Sequence, residues 1–263
     1  MNFSISLLSV IPVRKEPSHR SEMTTQLLFG EFVETFEEEG DFIKVRCLYD
    51  EYEGWIQSIQ LTPVEKKTVP EAIDFVGANR GEFFVNGVCI HVPFATPVYY
   101  PDLSATSMTF GNTDVQYAVP KDHIWNSKEK KFTEENFLPI KTVFINTPYL
   151  WGGKSIYGID CSGFCQQVFK LFGIRLSRDS YQQATQGEAV KSISDSTFGD
   201  LAFFENQGGR ITHVGILLGN EKIIHASGKV RIDNIDDKGI IRIDDQTRTH
   251  VLHSVRRVRG GEW

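Results

Sequence analysis

Four cysteines are all that this chain of 263 residues contains, and no two of them form a C-x-x-C pair. Such a sparse set excludes a disulfide framework and favours a reducing compartment. The sequence also lacks any run of about eighteen apolar residues, so we expect no membrane span. It has no cluster of lysine and arginine, and its net charge of -6 argues against nucleic acid or an anionic membrane as the main partner.

The apolar segment 3–13 lacks the basic leader and the small-residue cleavage site that define a signal peptide. Its alternating apolar positions and Pro12 predict an opening β-strand instead. We therefore expect a cytoplasmic protein, with a periplasmic or secreted location as the alternative if a signal peptide was removed. A monomer is expected.

The domain organisation follows from length and from the distribution of strand-like runs. A chain of 263 residues exceeds a typical single domain, so two or three units are expected. Short strand-like runs separated by turns fill the first half, which predicts small β-barrels, with Cys47 and Cys89 as core residues. A stretch rich in Asn, Ser, Lys and Glu at 125–131 predicts a linker. We expect domains at 1–66, 67–126 and 127–263.

Cys161 lies where an extended, glycine-containing stretch gives way to a helical pattern. Apolar residues recur after it at three- and four-residue spacing, namely Phe164, Val168, Leu171 and Phe172. Asp160 falls at the N-cap and Gly173 at the left-handed C-terminal cap. A thiol in the first helical turn is favoured as thiolate, so Cys161 is a candidate nucleophile. The alternative is a small buried hydrophobic residue.

Two histidines follow, in strand-like runs on either side of a Gly219-Asn220 turn. A loop of about three residues would place His213 opposite His225, within a one-residue register error, so that their side chains touch. A cysteine nucleophile needs a base and a group that orients the base, and these two residues can fill both roles. The same three residues could hold zinc, but eleven residues separate the histidines, unlike the usual short metal motifs.

Five blocks of sequence resemble, in order, the NlpC type of cell-wall cysteine peptidases: Thr147–Gly153, Gly158–Phe164, Gly199–Leu201, Thr212–Ile216 and Ile224–Ala226. The resemblance implies an α+β, papain-like catalytic domain, with a helix packed on an antiparallel sheet and no cofactor or metal. It also implies hydrolysis of the γ-D-glutamyl to diamino acid bond in murein peptides. In that reaction Cys161 would be the nucleophile, His213 the base and His225 the polar third member, and the backbone N–H of Cys161 would help to bind the oxyanion.

The region before the catalytic part resembles a bacterial SH3-like domain in the runs Arg14–Pro17, Gln26–Glu31 and Glu53–Ile56. The run Gly81–Ala118 is expected to form a second, more divergent one. In family members with this layout, the first SH3-like domain closes the subsite for the N-terminal L-Ala of the substrate. The resemblance thus implies an enzyme that acts on free murein peptides.

An α-ammonium in a closed pocket requires carboxylates and hydroxyls around it. Asp160 is the first candidate, although it could act only as a helix cap. Glu22 and Tyr52 are candidates from the first domain, with solvated loop residues as the alternative. Three further residues match substrate-contact positions of the family, namely Tyr149, Ser162 and Ser180.

Three functional classes are compatible with these patterns. A cysteine peptidase that releases L-Ala-γ-D-Glu during cell-wall peptide recycling explains the thiol, both histidines and the added domains, and we favour it. The second class is an endopeptidase or acyltransferase that acts on intact peptidoglycan through the same thioester chemistry. The third is a non-catalytic wall-binding protein with a vestigial triad, which would have no need for an intact Cys/His/His set.

Overall fold

The computed structural model describes residues 2–65, 74–99 and 106–260. Within them the chain divides into two units. Unit 1 contains residues 1–129 and the short segment 151–156, whereas unit 2 contains residues 130–150 and 157–263. No helix among the described residues is both long and apolar enough to cross a bilayer.

The short strand-like runs form strands as predicted, and the first seven strands of unit 1 make one antiparallel sheet. The closure of this region into a small barrel stays a prediction. The strands are Asn2–Ser6 (β1), Val10–Arg14 (β2), Met23–Leu28 (β3), Phe32–Glu39 (β4), Phe42–Cys47 (β5), Glu53–Gln57 (β6) and Leu61–Val64 (β7). Their spatial order is β3-β2-β6-β5-β4-β1-β7. Alternating residues of these strands are buried together, because successive side chains point to opposite faces of a strand: Ile11, Val13, Leu27, Val33, Val45, Cys47 and Ile56.

Two smaller antiparallel sheets also lie among the described residues of unit 1, with the orders β10-β9-β13-β12 and β11-β8-β14. Their strands are Asp74–Val76 (β8), Arg80–Val85 (β9), Val88–Pro93 (β10), Pro97–Val98 (β11), Ser107–Phe110 (β12), Thr113–Tyr117 (β13) and Ile124–Asn126 (β14). Phe29 and Phe32 share one hydrophobic core with Phe83 and Phe110. The ring centroids of Phe29 and Phe83 are 5.0 Å apart. The two regions predicted as separate β domains therefore share a core.

Two details of unit 1 differ from the predictions. The composition of 125–131 predicts a linker, and the boundary between the two units, after residue 129, falls within it. Trp125, at the start of the predicted linker, is however buried in β14, where it pairs with Phe75 of β8. Cys47 is buried as predicted, whereas Cys89 is exposed on β10, so its prediction as a core residue is wrong. The predicted boundary between residues 66 and 67 lies outside the described residues.

A buried ion pair attaches the segment 151–156 to the rest of unit 1. Lys154, in the short strand Lys154–Ser155 (β15), has its Nζ 3.3 Å from Oε2 of Glu31. The two side chains are only 2% and 6% exposed. The backbone N–H of Lys154 also donates to Oε1 of Gln26 on β3, at 2.8 Å. Both the main chain and the side chain of Lys154 thus hold this segment.

Breaking this pair should destabilise unit 1. Removing one partner of a buried ion pair leaves an uncompensated charge and costs about 3–5 kcal/mol. We expect Lys154→Met to lower the free energy of unfolding by about 3 kcal/mol in urea denaturation. The double variant Lys154→Met/Glu31→Gln should recover part of that loss, because no charge is then left buried. Equal stability of Lys154→Met and the wild type would contradict this role of the pair.

The described residues of unit 2 form three α-helices, Glu134–Phe144 (α1), Cys161–Lys170 (α2) and Ser180–Gln183 (α3). Thr133 caps α1 by accepting a hydrogen bond from the N–H of Asn136. Helix α2 is buried along its whole length, and its predicted apolar positions are all in the core. It ends as predicted, because Gly173 adopts the left-handed conformation with φ of 69°.

The sheet of unit 2 closes into a six-stranded barrel. Its strands are Leu201–Glu205 (β18), Ile211–Gly219 (β19), Lys222–Ser227 (β20), Lys229–Asp236 (β21), Gly239–Ile241 (β22) and Arg248–Arg257 (β23), preceded by Gly158–Ile159 (β16) and Glu188–Val190 (β17). The barrel is closed because β22, the last strand of the sheet, pairs with β23 as well as with β21. Helix α2 packs against β19 and β20. This combination of one buried helix and an antiparallel sheet is the predicted α+β arrangement.

Candidate active site

Cys161 is the first residue of α2, and its thiol lies against strand β19. Asp160 caps the helix as predicted, since its Oδ1 accepts a hydrogen bond of 2.6 Å from the N–H of Gly163. The Sγ of Cys161 is 4.0 Å from the carbonyl oxygen of Thr212. The backbone N–H of Val214 also contacts the thiol. The thiol therefore contacts the residues immediately before and after His213.

The side chains of His213 and His225 are in contact, as predicted. The two residues are not directly opposite each other on β19 and β20, however, as the predicted pairing had them. The residue directly opposite His225 is Gly215, so the true pairing differs from the predicted one by two residues. The difference arises because the loop contains only Asn220 and Glu221, both with positive φ, and because a bulge interrupts the pairing between Leu217 and Gly219. A shift of two residues keeps both imidazoles on the same face.

Gly215 makes the diagonal contact between the two histidines possible. Nε2 of His213 lies 2.8 Å from Nδ1 of His225. A Cβ atom on Gly215 would lie 2.8 Å from Cβ of His225 and equally close to the side chain of Ile223. Only a residue without a side chain leaves His225 in this position.

We expect Gly215→Ala to displace the His225 ring and weaken its bond to His213. Activity should fall about tenfold to a hundredfold, because a small misplacement of a catalytic group has effects of this size. The measurement is kcat/KM of the purified variant, with Gly219→Ala as the control for substitution elsewhere in the hairpin. Gly219 has a positive φ, so this control also carries backbone strain, but no atom lies within 4 Å of the place that a Cβ would take there. Equal activity of Gly215→Ala and the wild type would show that the diagonal contact is not needed.

Asp233 extends the histidine pair to a third side chain that the sequence patterns did not reveal. Its Oδ2 lies 3.0 Å from Nε2 of His225, and both residues are buried. Arg231 donates to both carboxylate oxygens, at 2.7 and 2.9 Å, and the N–H of Ile243 donates to Oδ1 at 3.0 Å. The pairing of β20 with β21 is the feature that could have identified Asp233. Arg231 lies directly opposite His225, and Asp233 is two residues further along β21, on the same face of the sheet.

The contacts of Asp233 fix the protons of both imidazoles. Burial alone would raise the pKa of Asp233, but hydrogen bonds from His225, Arg231 and Ile243 hold it well below its usual range. The ionised carboxylate only accepts, so Nε2 of His225 carries the proton. Nδ1 of His225 then accepts from Nε2–H of His213, which leaves the Nδ1 lone pair of His213 available as a base.

The resting thiol and imidazole are both neutral. Burial raises the pKa of Cys161 to about 12, and the charge of Asp160 adds to this rise, although N–H groups of Val214 and Ser162 oppose it. The predicted preference for thiolate at the helix N-terminus is therefore wrong for the resting protein. Burial, followed by the charges of His225 and His250, lowers the pKa of His213 well below 6.5. Thiolate must form by proton transfer at the moment of attack.

His250 covers one face of His213. The two rings stack with centroids 4.2 Å apart and an interplanar angle of 25°. Burial, followed by the charge of His225, lowers the pKa of His250 to about 4. His250 is therefore neutral at physiological pH, and it shields the imidazole of His213 without adding a charge.

The predicted substrate-binding residues of unit 2 lie around the N-terminus of α2. Asp160 is paired with Arg178, whose Nη2 donates to Oδ2 at 2.6 Å and whose Nη1 donates to Oδ1 at 3.1 Å. Nη1 of Arg178 also donates to Oγ of Ser162, at 2.9 Å. Arg178 is almost fully buried and was not predicted. It balances the charge of Asp160, which is both a helix cap and one half of a buried ion pair.

Tyr149 and Ser180 border the same region. The backbone of Tyr149 forms a bridge with Ile159, the residue before Asp160. Burial, followed by the electrostatic effects of Cys161 and Asp160, raises the pKa of Tyr149. Ser180 is the first residue of α3 and is buried. Gln183 ties α3 to α2 by donating from Nε2 to the carbonyl oxygen of Ser162, at 3.1 Å. The structure thus brings Tyr149, Asp160 and Ser162 together, with Ser180 on the adjoining helix.

Glu22 and Tyr52 belong to unit 1. Oε1 of Glu22 accepts a hydrogen bond of 2.8 Å from Nε1 of Trp151, and its Oε2 lies 3.7 Å from Nζ of Lys15. Tyr52 is half-buried and packs against the core of the seven-stranded sheet. Glu22 is therefore engaged by the segment 151–156, and Tyr52 contributes to packing.

The site contains no arrangement suited to a metal ion within the described ranges. No group of three or more His, Cys, Asp or Glu residues among them has a geometry that could hold one. Three of the four ring nitrogens of His213 and His225 are engaged in the series of hydrogen bonds that ends at Asp233. The arrangement instead matches a nucleophile, a base, an orienting imidazole and a carboxylate.

Two family profiles match the chain. The profile of the NlpC/P60 family matches residues 146–248, and that of the bacterial dipeptidyl-peptidase SH3 domain matches residues 13–61. The first match covers Cys161, His213, His225 and Asp233, whereas His250 lies just beyond it. The second falls within the seven-stranded sheet of unit 1.

Several relatives resemble the chain over most of its length. The gamma-D-glutamyl-L-lysine dipeptidyl-peptidase of Bacillus subtilis (strain 168) is 33% identical over 220 residues, which are 77% of this chain and 71% of that protein. Dipeptidyl-peptidase 6 of Lysinibacillus sphaericus is 29% identical over 248 residues, or 85% of this chain and 88% of that one. A crystal structure of an NlpC/P60 family protein from Bacillus cereus ATCC 10987 matches with a TM-score of 0.80 at 21% identity, covering 97% and 99% of the two chains, which establishes a shared fold.

Proposed function

The chain belongs to the NlpC/P60 family of cysteine peptidases, and we propose that it hydrolyses the γ-D-glutamyl to diamino acid bond of murein peptides with a free N-terminal L-Ala. The products would be L-Ala-γ-D-Glu and a diamino acid or a peptide that begins with one. The observation that carries the proposal is the buried series His213, His225 and Asp233 beside the Cys161 thiol. The name of the relative from Bacillus subtilis, a gamma-D-glutamyl-L-lysine dipeptidyl-peptidase, supports the substrate class.

We infer a mechanism from the protons assigned above. Nδ1 of His213 takes the proton of Cys161 as sulfur attacks the γ-carbonyl carbon, and the backbone N–H of Cys161 donates to the resulting oxyanion. That N–H has no intrahelical partner because it lies in the first turn of α2. The C–N bond then breaks as His213 returns the proton to the departing amine. Water, activated by His213, attacks the thioester, which releases the γ-carboxylate and restores the thiol.

This mechanism predicts how the rate depends on pH. His213 must be neutral to accept the thiol proton, and burial, His225 and His250 lower its pKa well below 6.5. We therefore expect kcat/KM to stay constant as pH falls from about 7 to about 6.5 and to decline only at lower pH. The measurement is the pH profile of kcat/KM with L-Ala-γ-D-Glu-L-Lys. A decline centred at or above the ordinary histidine pKa of about 6.5 would contradict this assignment of the base.

We propose that Asp160 binds the α-ammonium of the substrate. Its buried carboxylate lies at the N-terminus of α2, next to the Cys161 nucleophile, and a carboxylate is a strong hydrogen-bond partner for an ammonium group. Tyr149, Ser162 and Ser180 would contact the L-Ala-γ-D-Glu part, since they adjoin the same helix N-terminus. Glu22 and Tyr52 remain proposed contributors from unit 1.

The proposal also includes the domain boundaries, the cellular location and the oligomeric state. We propose that residues 67–126 are a divergent second SH3-like domain, in addition to a first domain at 1–66 and a catalytic domain at 127–263. The four free cysteines agree with a reducing, cytoplasmic setting. We propose that the protein recycles wall peptides there as a monomer. A secreted or periplasmic protein would instead meet intact peptidoglycan.

The bond specificity can be tested with two isomeric peptides. The purified protein should convert L-Ala-γ-D-Glu-L-Lys to L-Ala-γ-D-Glu and lysine, identified by mass spectrometry. The matched control is L-Ala-α-D-Glu-L-Lys, which has the same composition and mass but the other linkage, and it should stay intact. Cleavage of both isomers at similar rates, or of neither, would contradict the proposed γ-specificity.

A further inference from the structure

His250 makes the closest ring contact with His213, the proposed base. Among the residues that the structure describes, two further aromatic rings lie near that imidazole. The ring of Phe204 is 5.7 Å away at an angle of 47°, and that of His225 is 5.0 Å away at 86°. Within the same part of the chain, only His250 lies nearly parallel to His213, at 4.2 Å and 25°. Its ring face therefore rests on the face of the base.

The hydrogen bond between His213 and His225 does not by itself fix the plane of the His213 ring. It locates one atom, because Nε2 of His213 lies 2.8 Å from Nδ1 of His225. The torsion about the Cβ–Cγ bond of a histidine has broad minima, so the side chain alone does not select one plane. The proposed mechanism requires Nδ1 of the same ring to meet the Cys161 thiol. A parallel ring in close contact opposes rotation of the imidazole, because rotation would press one edge into it.

Two irregularities in β23 flank His250 and direct its side chain. The pairing with β22 leaves Thr249 without a residue opposite it, and the pairing with β18 does the same to His253. Neighbouring side chains on a regular strand point to opposite faces, but Oγ1 of Thr249 lies 2.8 Å from Nδ1 of His250. Bulges commonly redirect side chains next to active sites. The backbone of β23 and the hydroxyl of Thr249 thus hold the ring of His250 against His213.

The stacked ring also suits the charge that His213 acquires during the reaction. The imidazole becomes a cation when it takes the thiol proton, and the face of a neutral aromatic ring attracts a cation. His250 is neutral because burial, followed by the charge of His225, lowers its pKa to about 4, while Asp233 and Arg242 act on it in opposite directions. An attraction that exists only once His213 is charged favours the transition state over the bound substrate.

We propose that His250 is a positioning residue for the peptidase reaction, which acts through His213 by fixing the plane of that imidazole and by presenting a neutral aromatic face to the imidazolium. This assignment rests on the proposed function, because it concerns the base of that reaction. It requires an uncharged aromatic ring at position 250 and no proton transfer by that ring. Phenylalanine should therefore replace His250, whereas an aliphatic side chain should not.

Three variants test whether the ring or the volume of this side chain matters. His250→Phe keeps an uncharged ring, His250→Leu keeps an apolar side chain without a ring, and His250→Ala removes most of the side chain. With L-Ala-γ-D-Glu-L-Lys as substrate, we expect kcat to fall about tenfold or more in His250→Leu and His250→Ala. In His250→Phe it should stay within about threefold of the wild type. KM should change by less than about twofold in all three, because the contact acts after the substrate has bound.

The ¹⁵N chemical shifts of the His213 ring report its geometry without turnover. When one tautomer is held, the shifts of Nδ1 and Nε2 are far apart, and exchange between tautomers brings them together. The separation should persist in His250→Phe and shrink in His250→Leu and His250→Ala. His253→Ala is the matched control, because His253 lies at the second irregularity of β23, is exposed, and has Nδ1 2.9 Å from Oγ of Ser254. This control should keep both kcat and the shifts of His213.

The outcomes separate this assignment from the proposed function. Loss of kcat in His250→Leu and His250→Ala, with recovery in His250→Phe and no change in His253→Ala, supports it. Equal kcat values for His250→Phe and His250→Leu overturn it while the peptidase activity stands, and this comparison decides alone if thermal unfolding shows that His250→Ala does not fold. Failure of the wild type to cleave the tripeptide overturns the proposed function. In that case equal ¹⁵N shift separations in His250→Phe and His250→Leu also overturn the positioning role, and a smaller separation in His250→Leu supports it.

Discussion

Cys161→Ser is expected to abolish turnover of L-Ala-γ-D-Glu-L-Lys, with a loss of about 10⁴-fold or more in kcat. A hydroxyl at this buried position is a much weaker nucleophile than a thiol, and the rest of the site cannot replace it. Serine is close in size to cysteine, so the packing of α2 against β19 should survive. The measurement is steady-state turnover, with circular dichroism and thermal unfolding to check the fold.

Cys165→Ala provides the matched control for this variant. Cys165 lies one turn further along α2 and is also fully buried, but it plays no part in the mechanism. Its replacement should lower stability by about 1 kcal/mol and keep most of the activity. If Cys161→Ser instead retained a rate within about tenfold of that of Cys165→Ala, Cys161 would not be the nucleophile.

Asp233→Asn is expected to lower kcat by about 10³-fold while the protein stays folded, because it reverses the protons of both histidines. The Oδ1 position accepts from Arg231 and from the N–H of Ile243, and neither donor can become an acceptor. The amide oxygen should therefore stay there, and the NH2 group should take the Oδ2 position, where it faces His225 and leaves the Nε–H of Arg231 without its acceptor. His225 then accepts at Nε2 and carries its proton on Nδ1, so His213 must carry its proton on Nδ1 and cannot act as base.

Two further observations separate this effect from simple destabilisation. The ¹⁵N chemical shifts of the histidine rings should show the exchange of tautomers at His213 and His225 in Asp233→Asn. Asp236→Asn is the matched control, since Asp236 lies on the same strand and pairs with Arg248 outside the triad. That control should keep its activity and its tautomers. Equal kcat values for Asp233→Asn and Asp236→Asn would contradict the orienting role of Asp233.

The sequence was most informative where structure depends on local spacing. Helix α2, its cap at Asp160 and its end at Gly173 follow from a few neighbouring residues, and all three predictions are confirmed. The contact between His213 and His225 was also predicted, although its register was not. A bulge changes register without a clear sign in the sequence, and here the bulge lies near Leu217, inside an unbroken apolar run.

Residues distant in sequence were the ones that the sequence could not assign. Asp233 and His250 join the histidines only because β21 and β23 lie in the same closed barrel as β19 and β20. Arg178 joins Asp160 from eighteen residues away. The resting charge of Cys161 was mispredicted because the helix terminus favours thiolate, whereas the burial that raises its pKa depends on the whole fold.

The most direct test of the account compares three substrates with the same protein: free L-Ala-γ-D-Glu-diaminopimelate, its N-acetylated form and intact peptidoglycan, with products identified by mass spectrometry. The account predicts that the free tripeptide is cleaved to L-Ala-γ-D-Glu and diaminopimelate, and that the other two stay intact, because a blocked amine cannot offer its charge to Asp160. Equal cleavage of the free and acetylated peptides, or release of fragments from intact peptidoglycan, would contradict it and indicate a wall-remodelling endopeptidase.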